Sequence, residues 1–349
     1  MRTKILYIGN QLSTHGFPIS MIETLGPLLE ERYEVVKASS LKNPMWRLLD
    51  MVYTFIQERR EVQIVLIDTF SSLAFYFTCV IALLARFYNK PFIPILHGGN
   101  LPQRLQRSPL LSKRVFGHSF TNIAPSGYLH QAFSTAGFHT QLIPNYIHIN
   151  SYAFKSRSKI IPRLLWVRAF HHTYNPEMAI RVVASLTPSY PAIQLCMVGP
   201  DKDGSMEQCK QLSVELGVAD RIVFTGLLSK AEWIALSANY DIFMNTTNFD
   251  NTPVSVIEAM ALGLPVVSTD AGGMPFLIDD GVDGRLVPQG DTEAFAAAIT
   301  QLLEHPGNAF QLSQNARKKV ELYDWEVVKN QWFEVIDGAI SHSKEERTT

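Results

Sequence analysis

The sequence has little cysteine and lacks the short motifs of hydrolases and zinc enzymes. Three cysteines occur in 349 residues, at Cys79, Cys196 and Cys209, an unpaired number in apolar or helical contexts. We therefore expect neither a disulfide framework nor a zinc site, and a reducing cytoplasmic compartment fits. No Gly-x-Ser-x-Gly, His-Glu-x-x-His or Cys-x-x-Cys segment is present, so hydrolase and metalloenzyme chemistry lacks support.

The chain also lacks an apolar run long enough to span a bilayer. Thr69 to Ala85 carries no formal charge, but it contains four serine and threonine residues and is shorter than the roughly 20 apolar residues that a span needs. We expect a buried helix or a helix on a membrane surface there, in preference to a transmembrane helix. The N-terminus enters an apolar strand at Lys4 without a cleavage site, so no secretory signal is predicted.

Charge is balanced overall but uneven along the chain. The formal net charge is −1, while residues 1–150 carry 14 Lys and Arg against 8 Asp and Glu, a net of +6. The balanced total and the lack of an aromatic stacking platform argue against nucleic acid as a partner. The basic half is either an ordinary solvated surface or one that faces anionic lipid headgroups or a phosphorylated acceptor.

Short apolar strands alternate with helical stretches throughout the chain, a pattern that builds doubly wound parallel sheets. A first set of strands precedes residue 145, and a second set runs from Leu164 to Ser268. Between them, Asn145 to Pro162 loses this periodicity and is predicted to be a linker. We predict two Rossmann-like domains, residues 1–150 and 151–324, followed by a helix and tail over 325–349.

The most informative stretch runs from Ile242 to Gly263. An apolar strand is followed by a loop that contains Asp250. A helix begins after this loop and ends at Gly263. Free N–H groups at such a helix start favour a phosphate or a sugar, and the helix start comprises Thr252, Pro253, Val254 and Ser255. Glu258 lies about one and a half turns into the helix, so the two carboxylates can touch different parts of one elongated ligand. The alternative is that Asp250 caps the helix and Glu258 is solvated.

This stretch resembles the retaining glycosyltransferases of family 4. Their Glu-x7-Glu motif and the following Ala-Met-Ala-x-Gly-x-Pro-Val-Val are matched, with Asp250 in place of the first glutamate and Glu258 as the second. The resemblance implies an α/β protein of the GT-B fold, with two Rossmann-like doubly wound parallel-sheet domains facing a cleft. It also implies that Glu258 holds the ribose of the donor nucleotide and that Asp250 holds the transferred sugar.

Five further residues are similar to family features. His97, before two glycines at a strand end, resembles the acceptor-domain histidine that points at the donor sugar. Gly16 follows the first strand, where the family places a glycine-containing loop against the donor diphosphate; the alternative is a simple turn glycine. Arg168 matches the arginine that neutralises the diphosphate. Thr225 and Gly226 lie where the family holds the nucleobase through backbone groups.

The sequence departs from the family pattern at two places. Tyr174 stands where the family has a lysine that shares the diphosphate charge with the arginine, and we hypothesise that His171 or His172 supplies part of that charge. Phe276 replaces the glutamate of the Gly-Gly-x-Pro-Glu loop. Asp201-Lys202-Asp203 could be a metal-binding Asp-x-Asp motif, but an ordinary turn is the preferred interpretation. The resemblance implies that neither a metal nor another cofactor is needed.

The resemblance implies an enzyme that transfers a sugar from a nucleotide diphosphate sugar to a glycan, lipid-linked or other acceptor with retention of configuration. Such enzymes serve cell-surface polysaccharide or glycoconjugate synthesis. The N-terminal domain would bind the acceptor, and the C-terminal domain would bind the donor. We expect a cytoplasmic protein, and peripheral contact with an anionic membrane is a further option. Two alternatives stay open: a nucleotide-sugar epimerase of the same fold, and a catalytically weak partner subunit that binds nucleotide sugar.

Overall fold

The computed structural model describes residues 2–17 and 19–348. They form two compact units, the first containing the chain up to Pro144 together with the segment from Lys329 onward, and the second containing Asn145–Val328. Each unit has one six-stranded sheet in which every neighbouring pair of strands is parallel. The final residue of the predicted tail, Thr349, lies outside the described residues.

The sheet of the first unit has the order β2-β1-β3-β4-β5-β6. Its strands are β1 (Lys4–Ile8), β2 (Glu34–Ala38), β3 (Ile64–Phe70), β4 (Phe92–His97), β5 (Asn122–Ala124) and β6 (Thr140–Leu142). The helices are α1 (Met21–Leu29), α2 (Pro44–Glu58), α3 (Phe75–Phe87), α4 (Leu101–Arg107), α5 (Pro109–Phe116) and α6 (Gly127–Thr135). A short 3-10 helix spans Ser13–His15. Apolar residues on both faces of the central strands bury this sheet against its helices.

The sheet of the second unit has the order β12-β11-β10-β7-β8-β9. Its strands are β7 (Arg163–Val167), β8 (Gln194–Val198), β9 (Ile222–Gly226), β10 (Ile242–Asn245), β11 (Val266–Thr269) and β12 (Arg285–Val287). The helices are α7 (Pro176–Leu186), α8 (Ser205–Glu215), α9 (Lys230–Ser237), α10 (Val254–Ala261), α11 (Met274–Leu277), α12 (Thr292–Glu304) and α13 (Pro306–Glu321). Further 3-10 helices span Ile149–Ser151, His172–Tyr174 and Ala219–Arg221.

The last helix, α14 (Trp325–Thr348), contributes its residues from Lys329 onward to the first unit. The hydroxyl of Tyr33 donates to the Asp337 carboxylate at 2.8 Å, and the Tyr33 ring packs edge-on against Phe333. No helix among the described residues combines the length and the apolar character that crossing a bilayer requires.

Both sheets reverse their strand order at one point. In the first unit the reversal lies between β1 and β3, and in the second between β7 and β10. In open α/β sheets, ligands bind outside the carboxyl ends of the strands at such a reversal. Arg168 follows β7 directly and the Asp250 loop follows β10, so two predicted site residues share the reversal point of the second sheet.

The segment predicted to be a linker is instead packed into the second unit. Ile147 bridges to Asp324, and Tyr152 is buried in the apolar core. The guanidinium of Arg157 is buried and donates to the carbonyls of Tyr240, Leu262 and Ser237. The linker prediction was wrong because the buried residues are too widely spaced to produce a helix or strand periodicity. Along the chain, the boundary between the two compact units accordingly falls between residues 144 and 145, in place of the predicted 150 and 151.

Two adjacent glycines allow the loop before α11 to touch the Asp250 loop. A Cβ atom at Gly273 would overlap the carbonyl oxygen of Asn251, and one at Gly272 would overlap that of Asp250. The N–H of Gly273 donates to the Asp250 carbonyl at 2.8 Å. This N–H is therefore used within the chain, and the glycines serve a close approach of two backbones.

We predict that Gly273→Ala lowers the free energy of unfolding by about 1–3 kcal/mol, the usual cost of overpacking, because the backbones must separate. Gly307→Ala is the matched control: its added methyl group would meet nothing within 4 Å, so we expect a change within about 0.5 kcal/mol. Thermal melting of both variants measures the difference. Equal melting temperatures for the two variants would show that the contact between these loops does not constrain the unit.

Candidate functional site

Arg168 and Asp250 form an ion pair at the reversal point of the second sheet. Arg168 Nη2 contacts Asp250 Oδ2, and both side chains are largely buried, with exposed fractions of 18% and 15%. The guanidinium carbon lies 4.3 Å from the centre of the Tyr174 ring, a cation–π arrangement. Burial lowers the pKa of Arg168, an effect that Tyr174 opposes. The structure thus brings together two residues for which the resemblance implied separate ligand contacts.

Tyr174 supports the arginine that the site depends on. It ends a 3-10 turn over His172–Tyr174, which the αL residue Asn175 and Pro176 convert into helix α7. A lysine at this position would place a second cation beside Arg168, whereas the aromatic ring stabilises the existing one. The Tyr174 ring therefore stabilises Arg168 but does not supply the charge of the missing lysine.

The start of α10 offers unpaired polar groups. Pro253 is the residue before the first helical position, no side chain caps the helix, and no acidic residue lies in its first turn. Ser255 Oγ is buried and has no hydrogen-bond partner among the described residues. The first N–H groups of a helix have no partner within it, so those of Val254 and Ser255 are available to an anion.

Asp250 does not cap this helix, so that alternative is wrong. Its Oδ1 accepts a hydrogen bond from the N–H of Asn251 at 2.8 Å, within the loop. The loop is held on its other side by Asn145, whose Nδ2 donates to the Thr252 carbonyl at 3.4 Å.

Glu258 is buried, so the interpretation as a solvated helix charge is also wrong. Its Oε1 accepts hydrogen bonds from the Tyr152 hydroxyl at 2.7 Å and from Lys230 Nζ at 2.8 Å. Burial, reinforced by the Glu258 carboxylate, raises the pKa of Tyr152, so the phenol remains a donor. Oε2 has no hydrogen bond with any residue that the structure describes, which leaves one carboxylate oxygen to accept from a ligand hydroxyl.

The two histidines of the loop after β7 have different surroundings. The N–H of Thr173 donates to His171 Nδ1 at 3.2 Å, so neutral His171 carries its proton on Nε2. His172 Nδ1 lies 3.1 Å from Asp203 Oδ2, to which it donates. Asp203 also accepts from the Ser205 hydroxyl, a contact that lowers the pKa of its carboxyl group.

In the described part of the chain, His171, His172 and Asp203 form the one cluster whose His, Cys, Asp or Glu ligand atoms lie within 4.8 Å of one another. His171 Nδ1 accepts from a backbone N–H, while His172 Nδ1 at 3.1 Å and His171 Nε2 at 3.9 Å both face the same oxygen, Asp203 Oδ2. Because 3.9 Å is too long for a hydrogen bond, His171 Nε2–H keeps the capacity to donate to a ligand beside Asp203.

In the two loops predicted to bind the nucleobase and the diphosphate, some polar groups already form hydrogen bonds within the chain. Thr225 Oγ1 donates to the Gly226 carbonyl at 3.0 Å, and that carbonyl accepts from the N–H of Gly199 at 2.8 Å. In the first unit, Gly16 has φ of +80° and its N–H donates to Ser13 at 3.1 Å. This geometry favours the turn-glycine alternative for Gly16, while the nucleobase contact stays a prediction.

His97 lies at the carboxyl end of β4 and contacts a residue that the sequence analysis missed. Its Nε2 is 2.8 Å from Oδ1 of Asp68, and its ring stacks on Phe70 with centroids 5.0 Å apart. The Tyr7 hydroxyl donates to the same Asp68 oxygen at 3.0 Å. Asp68 lies within β3, two residues before its end, and a carboxylate within a buried apolar run was the available signal.

Comparisons with known proteins found similar sequences and structures. Residues 152–319 match the family described as Glycosyl transferases group 1. The MMP alpha-(1->4)-mannosyltransferase of Mycolicibacterium hassiacum is 31% identical over 134 residues, 38% of this chain and 33% of that protein. The phosphatidyl-myo-inositol mannosyltransferase of Mycobacterium leprae is 29% identical over 209 residues, 58% of this chain and 54% of that protein. The chain thus spans about a third to a half of the length of these curated relatives.

The crystal structure of HepE from Anabaena in complex with UDP superposes on this chain with a TM-score of 0.77 at 20% identity. The match covers 96% of this chain and 100% of HepE. This similarity shows that the fold is GT-B, as predicted, with one doubly wound parallel sheet in each unit.

We predict that Asp250→Asn lowers the free energy of unfolding by about 1–3 kcal/mol, because it leaves the buried Arg168 guanidinium without a charged partner. Asp270→Asn is the matched control at the same sheet edge; Asp270 is exposed, and we expect a change within about 0.5 kcal/mol. Thermal melting of both variants, alone and with Arg168→Met, measures the coupling. Additive effects of Asp250→Asn and Arg168→Met would contradict the ion pair.

Proposed function

We propose that the whole chain transfers a sugar from a nucleotide diphosphate sugar to a glycan, lipid-linked or other acceptor, because residues 152–319 match the family described as Glycosyl transferases group 1. The observation that carries the proposal is the set of unsatisfied groups around the β7/β10 reversal. It comprises the start of α10 with the buried Ser255 hydroxyl, the Arg168 guanidinium and one free oxygen of Glu258.

Each of these groups suits a different part of such a donor. The N–H groups of Val254 and Ser255 and the Ser255 hydroxyl would bind a phosphate, and Arg168 would neutralise the diphosphate as it leaves. Glu258 Oε2 would accept from a ribose hydroxyl, and Asp250 would accept from hydroxyls of the transferred sugar. UDP sugars are the first donors to test, since HepE was solved with UDP.

The proposed reaction retains the anomeric configuration through front-face attack, in which the leaving phosphate helps to deprotonate the acceptor hydroxyl. The proposal needs neither a metal nor another cofactor. The positive charge and the donors that a metal would supply come from Arg168, the start of α10 and His171 Nε2–H. Tyr174 at the family's lysine position is the one feature that favours a second candidate, a partner subunit that binds nucleotide sugar with weak turnover.

We also propose that the first unit contacts an anionic membrane on its cytoplasmic face. Exposed apolar side chains lie along α2 at Met45, Trp46, Leu49 and Tyr53. At about 100° per residue, these four positions share an arc of about 100°. On α3, Tyr76, Leu83 and Phe87 are exposed within an arc of about 40°.

The two helices pack together and end beside a basic cavity. Arg47 of α2 lies over the Phe77 ring of α3. The cavity has a volume of 1310 Å³, and Leu83 and Phe87 line it together with Arg59, Arg86 and Lys90. No carboxylate is among the described residues that line it. Apolar stripes beside the cations Arg59 and Arg86 suit a surface of anionic headgroups, which would bring a lipid-linked acceptor to the enzyme.

We predict that one of UDP, GDP and ADP, or a sugar conjugate of one, raises the melting temperature by several degrees, since a ligand at 100 times its Kd stabilises by about 2.7 kcal/mol. Glu258→Ala should abolish the shift, while Glu293→Ala, an exposed glutamate in the first turn of α12, should preserve it. Turnover is then measured with acceptor extracts. Binding without turnover would favour the partner subunit, and release of an epimerised nucleotide sugar without acceptor would identify an epimerase.

Liposome co-sedimentation tests the membrane contact. We expect binding to anionic but not to neutral vesicles at low salt, weakening as ionic strength rises. The double variant Trp46→Ser, Phe87→Ser should reduce the bound fraction several-fold, because it removes one large apolar side chain from each stripe. Val214→Ser, which removes an exposed apolar side chain from the second unit, is the control. Equal sedimentation with neutral and anionic vesicles, or none with either, would remove the proposal.

A further inference from the structure

Three neighbouring strands of the first unit place polar side chains around one buried carboxylate. Asp68 in β3 accepts from Tyr7 of β1 and from His97 at the end of β4, both through Oδ1. The Asp68 side chain has no exposed surface, and its other oxygen, Oδ2, is buried without a hydrogen bond. Gly9, directly after β1, makes room for that oxygen, since a Cβ atom there would lie 2.5 Å from it.

A buried carboxylate with these partners is costly to maintain. Burial of a carboxylate disfavours folding unless it is paired and fully hydrogen-bonded, and Asp68 has an unsatisfied oxygen. Among the described residues, no lysine or arginine lies within ion-pairing distance of Asp68, so its charge is met by the hydrogen bonds from His97 and Tyr7. An apolar residue would pack in this strand at lower cost, so the arrangement points to a role beyond stability.

We propose that Asp68 is a positioning residue that holds His97 with its proton on Nε2 and leaves Nδ1 as a hydrogen-bond acceptor for a hydroxyl of a sugar substrate. An ionised carboxylate can only accept, so the nitrogen 2.8 Å from it must donate. Nδ1 then carries the lone pair of the neutral ring, and it has no hydrogen bond with any described residue. The stacked Phe70 ring holds the plane of the imidazole.

The tautomer of His97 decides whether its side chain donates or accepts a hydrogen bond at the carboxyl edge of the first sheet. With the opposite tautomer, His97 would donate to a substrate oxygen; with this one, it accepts from a hydroxyl group. Sugar hydroxyls can do either, so Asp68 decides which orientation is bound. The inference rests on the proposed function, because it takes a sugar, from the donor or from the acceptor, as the group that meets Nδ1.

Nitrogen-15 NMR of histidine-labelled protein tests the tautomer without any substrate. The His97 signals are assigned by their loss in His97→Gln. We expect a protonated, pyrrole-type nitrogen at Nε2 and an unprotonated, pyridine-type nitrogen at Nδ1. The reverse pattern in the wild-type protein would overturn the inference, whether or not the chain transfers sugar. The expected pattern in a chain without turnover would leave the inference standing and count against the proposed function alone.

Kinetics test the positioning role. In Asp68→Asn we expect kcat to fall by about tenfold or more, with the KM of the nucleotide sugar and the melting temperature little changed. Tyr7→Phe removes the second donor and leaves the contact between His97 and Asp68, so its kcat should fall less and its NMR pattern should persist. Asp220→Asn, an exposed aspartate of the second unit, is the control.

A merely structural role gives a different result: a lower melting temperature with unchanged kcat in folded Asp68→Asn would overturn the inference. If Asp68→Asn does not fold, Tyr7→Phe and the wild-type NMR decide. Deoxy analogues of the donor sugar and of the acceptor then identify the partner hydroxyl, because removing it should make the wild type and Asp68→Asn equally slow. If no analogue has this effect, Nδ1 does not bind a substrate hydroxyl and the inference fails.

Discussion

The buried guanidinium of Arg168 is the group on which the arrangement of the second unit depends. A cation that is mostly removed from water must be paired, and here the Asp250 carboxylate and the Tyr174 ring share that task. The requirement brings the end of β7 next to the loop after β10. The loop after β10 is in turn positioned by the backbone contact that Gly272 and Gly273 permit. The first residue of α10, Val254, comes four residues after Asp250, so the same constraint positions the anion site at the helix start.

The first unit has a similar constraint of opposite sign. A buried carboxylate, Asp68, collects the donors Tyr7 and His97 at the reversal of the other sheet. In both units a charged residue at a strand end is held by partners from neighbouring strands or from the next loop. This is a consequence of the doubly wound topology, because the strand order reverses where the carboxyl ends of two strands are adjacent and helices leave to opposite faces. Polar residues placed there meet one another and remain near the surface.

Much of the fold could be predicted from the sequence. The strands Phe92–His97, Ile222–Gly226 and Ile242–Asn245 occur where apolar runs between turn residues predict buried parallel strands. The strand Glu34–Ala38 and the helix Pro44–Glu58 were not predicted. That strand carries charged residues among its apolar ones, and the exposed face of α2 is apolar, so neither has the expected pattern. The linker prediction failed for a related reason, because isolated buried residues do not produce a helix or strand periodicity in the sequence.

The sequence by itself determined which residues stand at the strand ends and helix start of the candidate site, because strand and helix limits follow from local patterns and from Pro253 and Gly263. Asp250, Glu258 and His97 were found in this way, and Arg168 was found through its match to the family pattern. The tertiary structure decided what each of them contacts. Glu258 bonds Tyr152 at a separation of 106 residues, and His97 bonds Asp68 at a separation of 29. A hydrogen bond requires two atoms within about 3 Å, and chain periodicity carries no information on that distance between remote segments.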